Sequence, residues 1–344
     1  MLRLHSNPRP ARETHPGRSA VEWRRVAKLE NTFSWSLSRR RTFERCKRAY
    51  WFSYYGGWGG WEPGASPRAR RIWLLKKLTT RAQWTGTVVH DVIARALRKL
   101  REGQPPLDPE EVVEQTLHRM RADYKDSLEN RFLLDPKRYV RFLEHEYGVS
   151  VRRERWKESA DRAQHGLRNF FASEIHAQLR ALAREDWLEI EDSREPPPFV
   201  QVDEVPVHVR VDLAFRDGKA VTVVDWKTGR GTEPEGRDQL AGYALYAQDR
   251  WGAPAAMVRA REVNVVQARE TLHRLDGGFL DEFRVRLRRS VKEMRSFLKD
   301  PAANRALPED SFPYTADEKE CRYCPFVGAC PRWEGQAATP WDGA

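Results

Sequence analysis

Residues 209–229 read VRVDLAFRDGKAVTVVDWKTG. Together with the preceding residues, FVQVDEVPVHVRVDLAFR (199–216) alternates apolar and polar positions. Asp217-Gly218 is a hairpin turn signal, and AVTVVDW (220–226) then runs as a mostly buried strand. The two strands pair, and their register can bring Asp212 and Asp225 to one end of a sheet. Two carboxylates held there suit Mg²⁺ or Mn²⁺, hard ions that prefer oxygen. Lys227 lies two residues beyond Asp225 and shares its face. A lysine beside such a metal site can orient water and stabilise charge on a phosphoryl oxygen. Acid-x-Lys triplets are common on solvated strands, but Asp225 ends an apolar strand, where a bare carboxylate is costly without a partner.

Working outward, residues 229–236 read as a loop and 236–250 (GRDQLAGYALYAQDR) as a helix. On that helix Gln239, Tyr243 and Tyr246 follow i, i+4, i+7 spacing, which by default means core packing. Gln239 fits that explanation poorly, because a buried amide needs partners. VRAREVNVVQ (258–267) is another strand, and 278–299 a basic amphipathic helix. On the N-terminal side, 38–55 (SRRRTFERCKRAYWFSYY) reads as one helix with Cys46 in its middle. GGWGGWEPG (56–64) then breaks it. Residues 83–101 form a second helix with Gly86, His90, Ala94 and Leu97 on one stripe. A lone helix histidine is more often packed or hydrogen-bonded than a ligand, so His90 is a candidate only in company. Residues 108–184 read as charged helix interrupted at Asp135-Pro136. The order of elements predicts a mixed α/β core carrying a helical insertion over 102–185.

The four cysteines are distributed unevenly: Cys46 stands alone, and Cys321, Cys324 and Cys330 follow as C-x2-C-x5-C. This is not the paired spacing of a self-contained zinc finger. A metal site drawing on both ends would close a very long loop, with a corresponding effect on stability. Four thiolates serve zinc or an iron–sulfur cluster equally well, and spacing alone does not choose.

The chain has 344 residues with 61 Lys and Arg against 50 Asp and Glu, a net charge of +11. Such a balance points to a polyanionic partner, most simply nucleic acid. No stretch reaches the roughly 20 apolar residues of a membrane helix, and the first thirty residues lack the apolar segment of a secretory signal. The expected organisation is a disordered basic tail (1–30), a single domain (31–333) and a flexible tail (334–344), in a cytoplasmic setting that keeps thiols reduced. No G-x4-G-K-[ST] loop is present, so any unwinding needs a separate helicase or repair subunit. Trp51, Trp58, Trp61, Trp73 and Trp84 could stack on unpaired bases, though tryptophans are more often buried, here around the cysteine region. The basic run 284–299 could follow a phosphate backbone or be a solvated helix.

Taken together, GTVVH (86–90), VDLAF (211–215), VVDWKTG (223–229) and QLAGYALYA (239–247) resemble the PD-(D/E)XK nucleases of the RecB/AddB type. SRRRTFERCKRAYWF (38–52) and CRYCPFVGACPRW (321–333) resemble the two halves of the iron–sulfur staple of AddB-like and CRISPR-adaptation nucleases. The resemblance covers about residues 34–333, least diagnostically 102–185. It implies a restriction-endonuclease-like mixed sheet flanked by helices, with His90, Asp212, Asp225 and the Trp226 carbonyl as metal ligands. Lys227 would be the catalytic lysine, with Gln239 and Tyr243 supporting the site or contacting DNA. Cys46, Cys321, Cys324 and Cys330 would hold a [4Fe–4S] cluster. The implied activity is Mg²⁺- or Mn²⁺-dependent hydrolysis of DNA, as an exonuclease in repair, recombination or foreign-DNA processing. The competing expectation is a catalytically inactive iron–sulfur DNA-binding subunit of a repair complex. Relatives commonly carry Gly three residues before the first aspartate and Arg directly after it, where Val209 and Leu213 stand here. Glu204 resembles an acid seen before this strand, but an exposed strand glutamate is the commoner explanation.

Overall fold

The computed structural model describes residues 29–191, 197–229, 236–275 and 277–334. The two expected tails fall outside these residues except for Leu29, Glu30 and Glu334. Helices α1 (Leu37–Arg45), α2 (Lys47–Trp51), α3 (Pro67–Leu75), α4 (Arg81–Arg101), α5 (Pro109–Leu128), α6 (Leu143–Glu146), α7 (Arg153–Ala172) and α8 (Glu174–Arg180) lead into the strands. There follow β1 (Trp187–Ile190), β2 (Phe199–Val202), β3 (Val205–His208), β4 (Leu213–Asp217) and β5 (Ala220–Lys227). Helix α9 (Gly236–Trp251), β6 (Val258–Asn264), β7 (Arg269–Arg274) and α10 (Gly277–Arg295) complete the core.

Five strands form one mixed sheet in the order β1-β4-β5-β6-β7. Only β5 and β6 run parallel, joined through α9, and the other pairs are antiparallel. A parallel pair needs such a crossover, and a helix of α9's length provides it. The alternation of β5 then divides the core into two layers. Val221 and Val223 pack with Leu240, Ala241 and Ala244 of α9 and with Phe283 and Leu287 of α10. Val224 and Trp226 pack with Val88, Val89 and Val92 of α4 and with Leu167 and Phe170 of α7. The 102–185 segment therefore supplies a covering layer of the sheet, since α7 and α8 place Ala163, Leu167, Phe170, Ile175 and Leu179 in that core.

Two expectations are revised. The alternating run 199–216 is not one strand: β2 and β3 form a separate two-stranded hairpin. Its turn is made by Asp203 and Glu204, both with positive φ (46° and 62°), the backbone that a tight two-residue hairpin needs. Glu204 thus sits exposed at a hairpin tip rather than on the catalytic sheet. The hairpin is held by Trp35, whose N–H donates to the Pro206 carbonyl and whose carbonyl accepts from His208 N, each at 2.8 Å. The single helix expected over 38–55 is broken at Cys46, which is extended (φ −160°, ψ 116°) between α1 and α2. There its sulfur caps the second helix by accepting from Ala49 N. A further turn, Phe52–Gly56, widens to π-helical geometry before the glycine-rich break.

Phe170 is 1% exposed and meets the Trp226 ring edge-on at 5.5 Å. Phe170→Ala is expected to lower stability by about 3–5 kcal/mol in urea unfolding, because the rigid sheet and helix around it cannot close the cavity.

Candidate active site

The β4–β5 hairpin sets the site. Its ladder runs from Asp217 opposite Ala220, across a turn with Gly218 at φ 62°, to Leu213 opposite Val224. One step beyond that last pair, Asp212 stands across from Asp225. The Trp226 N–H donates to Asp212 Oδ2 at 2.7 Å, fixing the first carboxylate to the second strand. On its other side β4 pairs with β1, Leu213 opposite Ile190, and Glu191 N donates to the Asp212 carbonyl at 2.8 Å. Glu191 therefore joins the same row, and Glu262 of β6 lies opposite Asp225.

Helix α4 brings His90. Its start is fixed by a capping box between Thr80 and Gln83. Gly86 lets the helix approach the strand end: a Cβ there would come within 3.2 Å of Thr228 Oγ1. One turn later His90 Nδ1 lies 3.5 Å from Asp212 Oδ2 and 3.9 Å from Glu191 Oε2. The segment after Lys227 is pinned by Val265 N to the Lys227 carbonyl (2.9 Å), Asn264 Nδ2 to the Gly229 carbonyl (2.8 Å) and Arg162 to the Thr228 carbonyl (3.2 Å).

Asp225 is enclosed on the α9 side. Its Oδ2 lies 2.6 Å from Lys227 Nζ, and its Oδ1 accepts from Tyr243 Oη (2.8 Å) and Gln239 Nε2 (2.9 Å). Gln239 Oε1 in turn accepts from Lys227 Nζ at 3.2 Å. The half-buried Gln239 amide thus has its partners, while Tyr246, on the same stripe, donates to Glu189 Oε2 at 2.7 Å and belongs to a neighbouring contact. The Trp226 side chain points into the opposite core layer, and only its backbone serves the site.

Burial and the charge of Asp212 push the Asp225 carboxyl up to about 6 against the pull of Lys227 and Tyr243. Burial also raises Glu191, reinforced by Asp212. Burial disfavours a charged His90, yet Asp212, Glu191 and Asp225 outweigh it and lift the imidazole to about 9. Buried acids that repel each other and hold a histidine protonated describe a site that welcomes a cation. One donor atom each from His90, Glu191 and Asp212 lies within 4.8 Å of the others, a nitrogen and oxygen set suited to a hard divalent ion. Glu191 was not singled out in the sequence. WLEI (187–190) is a legible short apolar strand, but its pairing with β4 is a contact between segments distant in sequence.

The cysteines meet on the far side of α2. All four line one pocket together with Arg48, Phe52, Phe326 and Trp333. Phe52 and Phe326 contact at 5.3 Å, and Arg48 bonds to the Phe312 carbonyl (2.8 Å) and Glu309 (3.0 Å), so the two ends of the domain also meet without the sulfurs. Each sulfur receives an N–H: Ala49 to Cys46, Phe326 backbone to Cys324, Arg332 backbone to Cys330, and the Trp333 side chain to Cys321. Burial nevertheless raises three of the thiols, Cys324 to about 12.

Of the five tryptophans between α1 and α4, Trp84 is buried in the sheet core and donates Nε1 to Asp123 at 2.9 Å. Trp51 packs beside the cysteine pocket, while Trp58 is 41% exposed and meets Trp61 edge-on.

The PD-(D/E)XK nuclease superfamily model matches residues 34–331, and the chain belongs to this superfamily. Its five-stranded mixed sheet with flanking helices is consistent with a restriction-endonuclease-like fold. No curated protein matches the chain. Membership implies metal-dependent nuclease activity with DNA as substrate. Among the described residues no helix is long and apolar enough to cross a membrane.

A cation bound at His90 would have to displace its proton. In the metal-free protein its pKa is about 9 against 6.5 for the free side chain. Mn²⁺ affinity should therefore rise from about pH 7 to about pH 9, with proton release on binding, seen by calorimetry in two buffers of different ionisation enthalpy. The linked stability of the metal-free protein has the opposite sign. His90's contribution is complete below 6.5 and lost as pH rises through about 9, a slope that His90→Gln should flatten in thermal melts.

Proposed function

We propose that this protein hydrolyses DNA phosphodiester bonds as a Mg²⁺- or Mn²⁺-dependent exonuclease on single-stranded or end-processed DNA, in repair, recombination or foreign-DNA processing. The observation that carries the catalytic part is the bond from the Trp226 amide to the Asp212 carboxylate, which sets Asp212 beside Asp225, with Lys227 2.6 Å from Asp225 and His90 3.5 Å from Asp212. The resemblance to RecB/AddB-type motifs supports the exonuclease and pathway reading. His90, Asp212, Asp225 and the Trp226 carbonyl would hold the ion, with Glu191 added by its position. When bound, such an ion polarises a phosphate oxygen and acidifies water. Lys227 is positioned by Asp225 and Gln239, so its ammonium stands ready to hold the attacking water or neutralise charge developing on the phosphate. Gln239 and Tyr243 keep Asp225 oriented through its Oδ1.

The same proposal assigns a [4Fe–4S] cluster to Cys46, Cys321, Cys324 and Cys330. That all four cysteines line one pocket supports a shared site, and the preference for an iron–sulfur cluster over zinc rests on the resemblance of the flanking motifs. The cluster would be structural, fastening α2 to the C-terminal turns.

Asp225→Ala and Lys227→Ala should each lower cleavage of end-labelled DNA by about 10³-fold or more, with the protein still folded and its visible absorbance retained. Full activity in either variant would refute the assignment. Cys46→Ser should lose iron and visible absorbance and melt earlier, with activity falling only as the fold does. A stable, iron-replete Cys46→Ser protein would overturn the cluster assignment.

A further inference from the structure

Beside the active site lies a second cavity of about 250 Å³, bounded by the ends of α4 and α9 and by edge strand β1. Three arginines line it: Arg98 and Arg101 from the last turn of α4, and Arg250 from the last turn of α9, with the Trp251 indole beside them. Arginine at a helix C-terminus complements the helix dipole, which alone would explain one such residue per helix. It does not explain their convergence on one cavity. Among the described residues neither Arg101 nor Arg250 makes a hydrogen bond or ion pair, and Arg98 donates to a backbone carbonyl, that of Glu191. The single acid of the lining, Glu189, accepts a hydrogen bond from Tyr246 Oη. The cavity therefore keeps an excess of positive charge, in forked guanidinium groups that match phosphate oxygens. At ~30 Å³ per water it has room for about eight waters, enough for a phosphate and part of a sugar.

Its position relates it to the chemistry. Glu191 turns its carboxylate toward His90 and Asp212, while its carbonyl is held by Arg98. Arg101 follows His90 by eleven residues, three turns on the same face of α4, about 16 Å along the axis. A strand lying over the carboxylates would place a phosphate a few nucleotides away at this cavity.

We propose that the Arg98–Arg101–Arg250 cavity is a phosphate-binding subsite for the DNA strand, with Trp251 beside the adjoining sugar or base. The proposal rests on DNA being the substrate, and its test does not require cleavage. Binding of a fluorescent single-stranded oligonucleotide is measured by anisotropy in EDTA across a salt series, for the wild type and for Arg101→Gln/Arg250→Gln. A Lys125→Gln/Arg155→Gln protein, altered at exposed helix positions away from the cavity, controls for net charge. Loss of one phosphate contact should flatten the slope of log affinity against log salt by about 0.7, with roughly tenfold weaker binding at low salt, while the control keeps the wild-type slope. Oligonucleotides with 5′-phosphate and 5′-hydroxyl ends separate the sources: a loss confined to the former identifies a terminal monoester, an equal loss an internal diester. Wild-type binding by the cavity variant, an equal loss in the control, or no oligonucleotide binding by the wild type would overturn the proposal. A wild type that binds DNA yet never cleaves it with Mn²⁺ would refute the nuclease reading and leave the subsite standing.

Discussion

Two carboxylates forced to one end of a buried sheet are the constraint on which the remaining architecture turns. Asp212 and Asp225 are 7% and 4% exposed, and burial beside Asp212 penalises the charged form of Asp225. The surrounding elements can be understood as responses to that penalty. The Trp226 amide, His90, Lys227, Gln239 and Tyr243 each bring a donor or a positive charge to one of the two acids. These groups come from β5, α4 and α9, so the sheet and both covering layers must be in place before the pair is tolerated.

This arrangement couples the active site to the rest of the domain. Helix α9 carries Gln239 and Tyr243 toward Asp225 and is itself tied down by Asp238, which bonds Arg40 of α1 (2.5 Å) and Arg286 of α10 (2.8 Å). Since α1 leads directly to Cys46, the cysteine pocket and the carboxylate site share a mechanical connection through one buried acid. Basic side chains that looked available for a polyanion are thus partly committed: Arg286 serves Asp238, and Arg288 pairs with Asp203. The arginines at the edge of β1 are not committed in this way, which distinguishes that surface from the basic face of α10.

Much of the site was legible because it is local. The β4–β5 hairpin is a contact between neighbours, its turn is marked by Asp217-Gly218, and its period of two places Asp225 and Lys227 on one face. Gln239 stood out because an amide on an apolar stripe demands partners, and the structure supplies them. The misreadings also have physical causes. The run 199–216 alternates except at the adjacent acids Asp203 and Glu204, and that break in period does not by itself show that both adopt positive φ and divert β2–β3 to Trp35. The 38–55 stretch has helical composition throughout, but Cys46 is extended, caps the second helix with its sulfur and lines a pocket with residues 321–333, a contact between distant segments that local composition does not show.

The sequence by itself determined the hairpin, the acid–lysine face and the helix that would support it. These follow from spacing, turn chemistry and the cost of burying unpartnered polar groups. Only the tertiary structure decided that Glu191 joins His90 and Asp212, that α7 covers the sheet beneath Trp226, and that three arginines meet at the edge of β1. Each of these unites segments whose separation along the chain carries no periodic signal, so burial and strand register, rather than local preference, set them.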